Sequence, residues 1–64
     1  MDELARQLRA LREARGWSQD RAAEAVGVDR TTLAKWELGR VLPKGHHLIR
    51  WARTFNCTLV LKVG

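Results

Sequence analysis

The sequence has very little cysteine and no long hydrophobic run. Its one cysteine, Cys57, excludes an intrachain disulfide, and the apolar residues around it indicate a small buried hydrophobe rather than a reactive thiol. No apolar stretch is long enough to cross a membrane, and the amphipathic amino terminus does not resemble a signal peptide. We therefore expect a cytoplasmic protein without a membrane partner.

Catalytic and metal-binding patterns are also missing. The sequence has no pattern that combines a catalytic nucleophile, a general base and a third residue to orient that base. It also has no glycine-rich phosphate-binding loop. His46 and His47 are adjacent, so on a helix they lack the spacing of four residues that binds zinc. A chain of 64 residues leaves no room for a separate effector-sensing domain. We expect no catalytic residue, metal, cofactor or small-molecule effector, and hence no enzyme.

Positive charge is present in excess. The net charge is +5, the sequence pI is about 10.7, and nine of the twelve basic residues are arginine. This balance favours a polyanionic partner, because the arginine guanidinium forks onto phosphate or guanine. A domain of this size buries only about 60% of the surface of its unfolded chain, so a partner chain would add stability.

The hydrophobic spacing predicts four helices and one strand, without repeats, linkers or low-complexity segments. The predicted helices cover residues 2–15, 18–26, 29–38 and 44–55. Ser18 and Asp29 are the expected N-caps of the two middle helices, and Gly16 ends the first helix. The apolar faces of the first and last helices consist of Leu4, Leu8, Leu11, Leu48, Trp51, Ala52 and Phe55.

The two middle helices have the pattern of a helix-turn-helix. Ala23 is small enough for the second helix of the pair to cross the first closely, and Gly27 accepts the positive φ that the turn requires. Val28 fills the turn, while Leu33 and Trp36 place the apolar side of the second helix against the first. One helix of the pair is thereby held in place, and the other projects outward.

These motifs resemble the lambdoid phage repressor and Cro family of helix-turn-helix regulators. The matching residues are S-Q, then A-A four and five positions after the serine, G-V, and L-x-x-W-E-x-G. The runs G-W-S-Q at 16–19 and W-E-L-G at 36–39 are family features, and the resemblance extends over residues 4–55. It implies an all-α, compact four-helix domain, here residues 1–56. Ala22 replaces a leucine that is usual in the family, so we expect Trp17, Trp36 or Trp51 to fill the missing volume.

The tail departs from the commonest family pattern, in which another helix follows. Residues 57–63 alternate with a period of two and are rich in β-branched residues, which predicts a strand. An isolated strand leaves its backbone unpaired, and the economical partner is the same strand of a second copy, antiparallel across a two-fold axis. The segment 57–64 is thus a predicted homodimerisation strand, as in a subset of the family that includes antitoxins; a short final helical turn is the alternative. The predicted interface consists of Cys57, Thr58, Leu59, Val60, Leu61, Lys62 and Val63.

The predicted recognition helix presents four side chains to DNA. With Leu33 and Trp36 facing inward, the outward residues are Arg30, Thr31, Ala34 and Lys35. Arg30 can fork onto guanine O6 and N7, and Thr31 and Ala34 can meet a thymine methyl group. Lys35 reaches either a base or a phosphate. For each residue the alternative is an ordinary solvated helix surface.

Phosphate contacts are expected on both sides of that helix. By resemblance, Gln19 matches the family glutamine whose amide holds a phosphate at the positive end of a helix. Lys44 and Gly45 replace the usual small polar cap, so the first amides of the last helix can take a phosphate or a water molecule. The predicted phosphate set is Ser18, Gln19, Thr32, Arg40, Lys44 and His46.

One charged pair is expected to be structural. Glu37 resembles the family glutamate that pairs with an arginine of the first helix, which corresponds here to Arg12. We expect this pair to lock the recognition helix in place. Arg50 and Arg53 on the last helix are as consistent with solubility as with DNA binding, and we leave them outside the site.

The residues and the resemblance together predict a sequence-specific regulator of transcription that binds double-stranded DNA. We expect a repressor that acts as a homodimer on an inverted repeat and is associated with the nucleoid when bound. Three alternatives stay open: an antitoxin that autoregulates its operon and binds a toxin partner, a protein-interaction module without DNA binding, and a nonspecific nucleic-acid binder. An interaction module would not need Arg30, and a nonspecific binder would bind every duplex alike.

Overall fold

The computed structural model describes residues 3–56, which form four helices. Helix α1 spans Glu3–Ala14, α2 spans Gln19–Val26, α3 spans Arg30–Glu37 and α4 spans Gly45–Thr54. The prediction of four helices is confirmed, and the predicted ranges were wider because they included the flanking cap residues. The strand and the dimer interface predicted for residues 57–63, with Cys57 among them, lie outside the described residues.

The two middle helices begin at the predicted side-chain caps. The backbone amide of Arg21 donates to Ser18 Oγ at 3.1 Å, and the amide of Thr32 donates to Asp29 Oδ1 at 2.7 Å. The hydrogen bonds from Thr32 hold the pKa of Asp29 below its usual value, since they favour the charged carboxylate. Both helix starts are therefore fixed by local sequence.

The turn between α2 and α3 depends on a residue without a Cβ atom. Gly27 has φ of 88°, in the left-handed region, and its amide donates to Ala23 O at 2.8 Å. The amide of Val28 donates to the same carbonyl at 2.9 Å. A Cβ atom on Gly27 would also lie 3.3 Å from Nη1 of Arg50, whose guanidinium lies against the turn. The turn prediction is confirmed.

Small residues of α2 and aromatic residues of α3 and α4 share one core. The buried cluster consists of Leu8, Ala22, Ala23, Val26, Leu33, Trp36, Trp51 and Phe55. The rings of Trp36 and Trp51 are 6.0 Å apart and those of Trp51 and Phe55 are 5.4 Å apart, so aromatic volume fills the core beside Ala22. Leu48 and Ala52, which were predicted to be core residues, are only half-buried. Within residues 3–56, no helix has the length and apolarity needed to span a membrane.

Enlarging Ala23 should destabilise the fold. Ala23 is buried and belongs to the core that α2 and α3 share, so Ala23→Leu should lower the free energy of unfolding by about 1–3 kcal/mol through overpacking. Urea denaturation measures the loss. Ala10→Leu, on the exposed side of α1, is the matched control and should change stability by less than about 0.5 kcal/mol. Equal stability of the two variants would show that α2 has room for a larger residue.

Candidate nucleic-acid interface

Helix α3 is oriented by its two large apolar residues. Leu33 and Trp36 are buried, and the opposite side of the helix carries the predicted base-reading residues. Arg30, Thr31 and Lys35 are exposed, while Ala34 is half-buried. A row of exposed polar side chains with a small residue between them is a surface that a major groove can accept.

The carboxylate of Glu37, at the end of α3, accepts hydrogen bonds from side chains of α1 and α2. Arg12 of α1 donates to Glu37 through Nε at 2.7 Å and Nη2 at 3.0 Å, a bidentate pair. Nη1 of Arg12 donates to Trp17 O at 2.9 Å. The Arg12 side chain is 13% exposed and the Glu37 side chain is 3% exposed. The structure thus joins the two residues that were expected to pair, and the hydrogen bond to Glu37 raises the pKa of Arg12.

The side chain of Gln19 also contacts the Glu37 carboxylate. Its predicted role as a phosphate ligand did not include this contact. Its Nε2 donates to Glu37 Oε1 at 3.2 Å. An amide nitrogen carries two hydrogens, so this bond holds the side chain in place and leaves a second donor for another partner. Glu37 therefore ties the end of α3 to α1 and to the first residue of α2.

The other predicted phosphate residues lie at helix starts and in the loop before α4. Ser18 uses its Oγ as an acceptor for the α2 cap, which leaves its hydroxyl hydrogen available as a donor. Thr32 is half-buried, whereas Arg40, Lys44 and His46 are exposed. Helix α4 begins after Lys44 without a side-chain cap, as predicted. An uncapped helix start with flanking cations suits an anion.

The rings of the two histidines pack at a tilt against each other, and one of them packs in the same way on an aromatic residue of α3. The rings of His46 and His47 are 4.1 Å apart, and His47 lies 5.2 Å from Trp36. Partial burial lowers the pKa of His47, and the positive charge of His46 and other cations lowers it further. Because protonation is disfavoured in the folded state, stability should fall as the pH drops through the usual histidine range. Among residues 3–56, no three potential metal ligands cluster.

Three residues that the sequence reasoning missed lie at this surface. Arg9 and Leu38 line an open depression of about 340 Å³ together with Ala34, Gln19 and the ion pair. Asp20, the second residue of α2, forms an ion pair with Arg30 across the two helix starts. Arg9 lies three residues before Arg12, so the two share a helix face. This spacing could have indicated from the sequence that Arg9 lies beside the ion pair. Nothing in the sequence pattern indicated the contact of Asp20.

Removing the charge of Glu37 should destabilise the domain. Glu37→Gln leaves Arg12 without a counter-charge, and we expect a loss of about 3 kcal/mol, the lower end for buried pairs because Arg12 keeps some exposure. Glu13→Gln is the control: its carboxylate is exposed, lies 3.4 Å from Arg9 Nε, and should contribute at most about 0.5 kcal/mol. Urea unfolding compares the two. Similar losses would contradict a locking role for the buried pair.

The comparisons with known proteins agree with this geometry. The Helix-turn-helix family model matches residues 8–62, and no curated protein matches the chain. The fold is similar to that of the P22 c2 repressor protein, whose crystal structure is a complex with synthetic operator 9T in the presence of Tl+. The TM-score is 0.84 at 22% identity, covering 91% of this chain and 88% of that chain. The chain belongs to the helix-turn-helix family, in its lambdoid repressor and Cro type.

Proposed function

We propose that this protein is a sequence-specific transcriptional repressor that binds an inverted-repeat operator in double-stranded DNA as a homodimer. Its family and fold support the coarser function of a DNA-binding transcription regulator. The observation that carries the proposal is the fixed orientation of α3. Leu33, Trp36 and the buried Glu37 hold one side of the helix, and the opposite side is free to enter a major groove.

Base reading is assigned to the exposed side of α3. Arg30 is the first residue of that helix, and a guanidinium there can donate to guanine O6 and N7. Thr31 and Ala34 offer methyl groups to a thymine methyl. Lys35, in the last turn, reaches a base or a phosphate. Direct contacts of this kind would supply the sequence preference of a repressor.

Phosphate binding is assigned to the residues around α3. The free amide hydrogen of Gln19 stands at the positive end of α2, where an anion is favoured. Ser18 is the N-cap of α2 and Thr32 lies in the first turn of α3. Arg40 lies in the loop before α4, and Lys44 and His46 lie at its uncapped start. These contacts fix the protein on the duplex without selecting a sequence, and they make binding dependent on salt.

Dimerisation is assigned to the sequence of residues 57–63. Two copies joined by antiparallel strands would present two α3 helices to successive major grooves, roughly 34 Å apart. A self-complementary protein interface implies a palindromic operator. Such a dimer would repress by covering promoter DNA, and its control would come from concentration, proteolysis or a protein partner.

Replacing Arg30 should relax one base preference. Selection from a randomised duplex pool at near-physiological salt should enrich an inverted repeat, and Arg30→Ala should weaken binding to it by about 1–3 kcal/mol. The preference should relax at one base pair of each half-site. Arg53→Ala on the exposed side of α4 is the control, and it should leave the preferred sequence unchanged.

The same measurements can contradict the proposal in two ways. Equal weakening of Arg30→Ala on every duplex would reassign Arg30 to a phosphate contact. Failure of the wild-type protein to enrich any sequence would favour a nonspecific binder if all duplexes bind alike, and a protein-interaction module if none binds.

A charge in the tail should abolish dimerisation. We assign the Leu59 and Leu61 face of the predicted strand to packing against the helices. Leu61→Lys places a cation on that face, so the chain should be monomeric in sedimentation velocity at concentrations where the wild type is dimeric. Ala10→Lys, at an exposed position of α1 outside the predicted interface, is the control and should stay dimeric. A Leu61→Lys variant that dimerises as strongly as the wild type would exclude this interface.

A further inference from the structure

We propose that Asp20 is a positioning residue for Arg30, which holds the guanidinium so that its two terminal nitrogens can meet a guanine. This inference rests on the proposed function, because it assigns a role within the same base-reading surface. It adds an acidic residue of α2 to a recognition surface that otherwise consists of α3 side chains.

The two residues lie side by side at the starts of adjacent helices. Asp20 is the second residue of α2 and Arg30 is the first residue of α3. Oδ1 of Asp20 lies 3.4 Å from Nε of Arg30, and the two side chains are 79% and 63% exposed. The carboxylate therefore lies on the surface from which Arg30 would enter the groove.

The carboxylate of Asp20 approaches Arg30 at Nε, and this position decides which guanidinium donors stay available to a base. A guanidinium has five donors in a rigid fork, and guanine recognition uses two parallel donors aimed at O6 and N7. An approach at Nε leaves the end-on pair, Nη1 and Nη2, available to the base. A free arginine side chain samples many rotamers. A partner at Nε restricts them beforehand, so Arg30 loses less conformational entropy when it binds DNA.

The contribution of this pair should appear in discrimination rather than in stability. An ion pair with both side chains exposed stabilises a free protein very little. A carboxylate beside the DNA also repels phosphate, which weakens binding to every sequence. Asp20 thus weakens binding to every duplex and also orients the residue that reads guanine, and only the second effect raises the guanine-to-adenine discrimination.

The test compares Asp20→Ala with Glu24→Ala. Glu24 is an exposed acid of the same helix, and no cation of residues 3–56 forms an ion pair with it. The probes are the duplex selected from the random pool and the same duplex with adenine in place of the guanine whose preference depends on Arg30. Dissociation constants for both duplexes, measured at one salt concentration, give the guanine-to-adenine discrimination of each variant.

Asp20→Ala should lower this discrimination about threefold to tenfold, a coupling of the size seen between contacting residues. It should also bind unrelated duplexes more tightly than the wild type. Glu24→Ala should show the tighter nonspecific binding with unchanged discrimination. Asp20→Glu, which keeps the carboxylate, should retain part of the discrimination, and in an Arg30→Ala background the Asp20→Ala change should have no effect on it.

Three outcomes would overturn the inference. Unchanged discrimination in Asp20→Ala, with a loss in Arg30→Ala, would show that Arg30 reads guanine without help from Asp20. Increased discrimination in Asp20→Ala would show that the carboxylate holds Arg30 away from the base. Absence of any guanine preference in the wild type would overturn the proposed function as well, and the wild-type protein alone reveals that case.

Discussion

The buried carboxylate of Glu37 is the constraint on which the placement of the recognition helix depends. It accepts two hydrogen bonds from Arg12 and one from Gln19, so a single residue at the end of α3 joins three helices. Such a carboxylate is costly to bury unless its oxygens are satisfied, and here three donors satisfy them. The arrangement therefore favours the orientation of α3 in which all three donors reach the carboxylate.

Close packing of the core adds to the effect of the hydrogen bonds to Glu37. Ala22 and Ala23 leave space along α2, and the aromatic rings of Trp36, Trp51 and Phe55 occupy the core around them. Large rings provide much buried apolar area per residue, which matters in a domain with few core positions. These rings let a small domain bury enough apolar area to hold its helices together.

Acidic residues shape the surface that we assign to DNA binding, although the chain is strongly basic. Glu37 positions Gln19 from within, and Asp20 approaches Arg30 from outside. Cations alone would attract any polyanion, since phosphates are the same in every sequence. Carboxylates that orient specific donors favour the duplexes whose bases those donors can meet, which adds selection to the general attraction.

The sequence by itself determined the four helices, the caps of the two middle helices, the glycine turn and the inward side of α3, because periodicity, capping and left-handed φ are local properties of the chain. Through the family resemblance it also indicated the pairing of Arg12 with Glu37. Only the tertiary structure decided that Gln19 shares this carboxylate, that Leu48 is half-buried and that Asp20 meets Arg30. These contacts join residues on different helices, and their distances follow from how the helices pack, which no local pattern specifies.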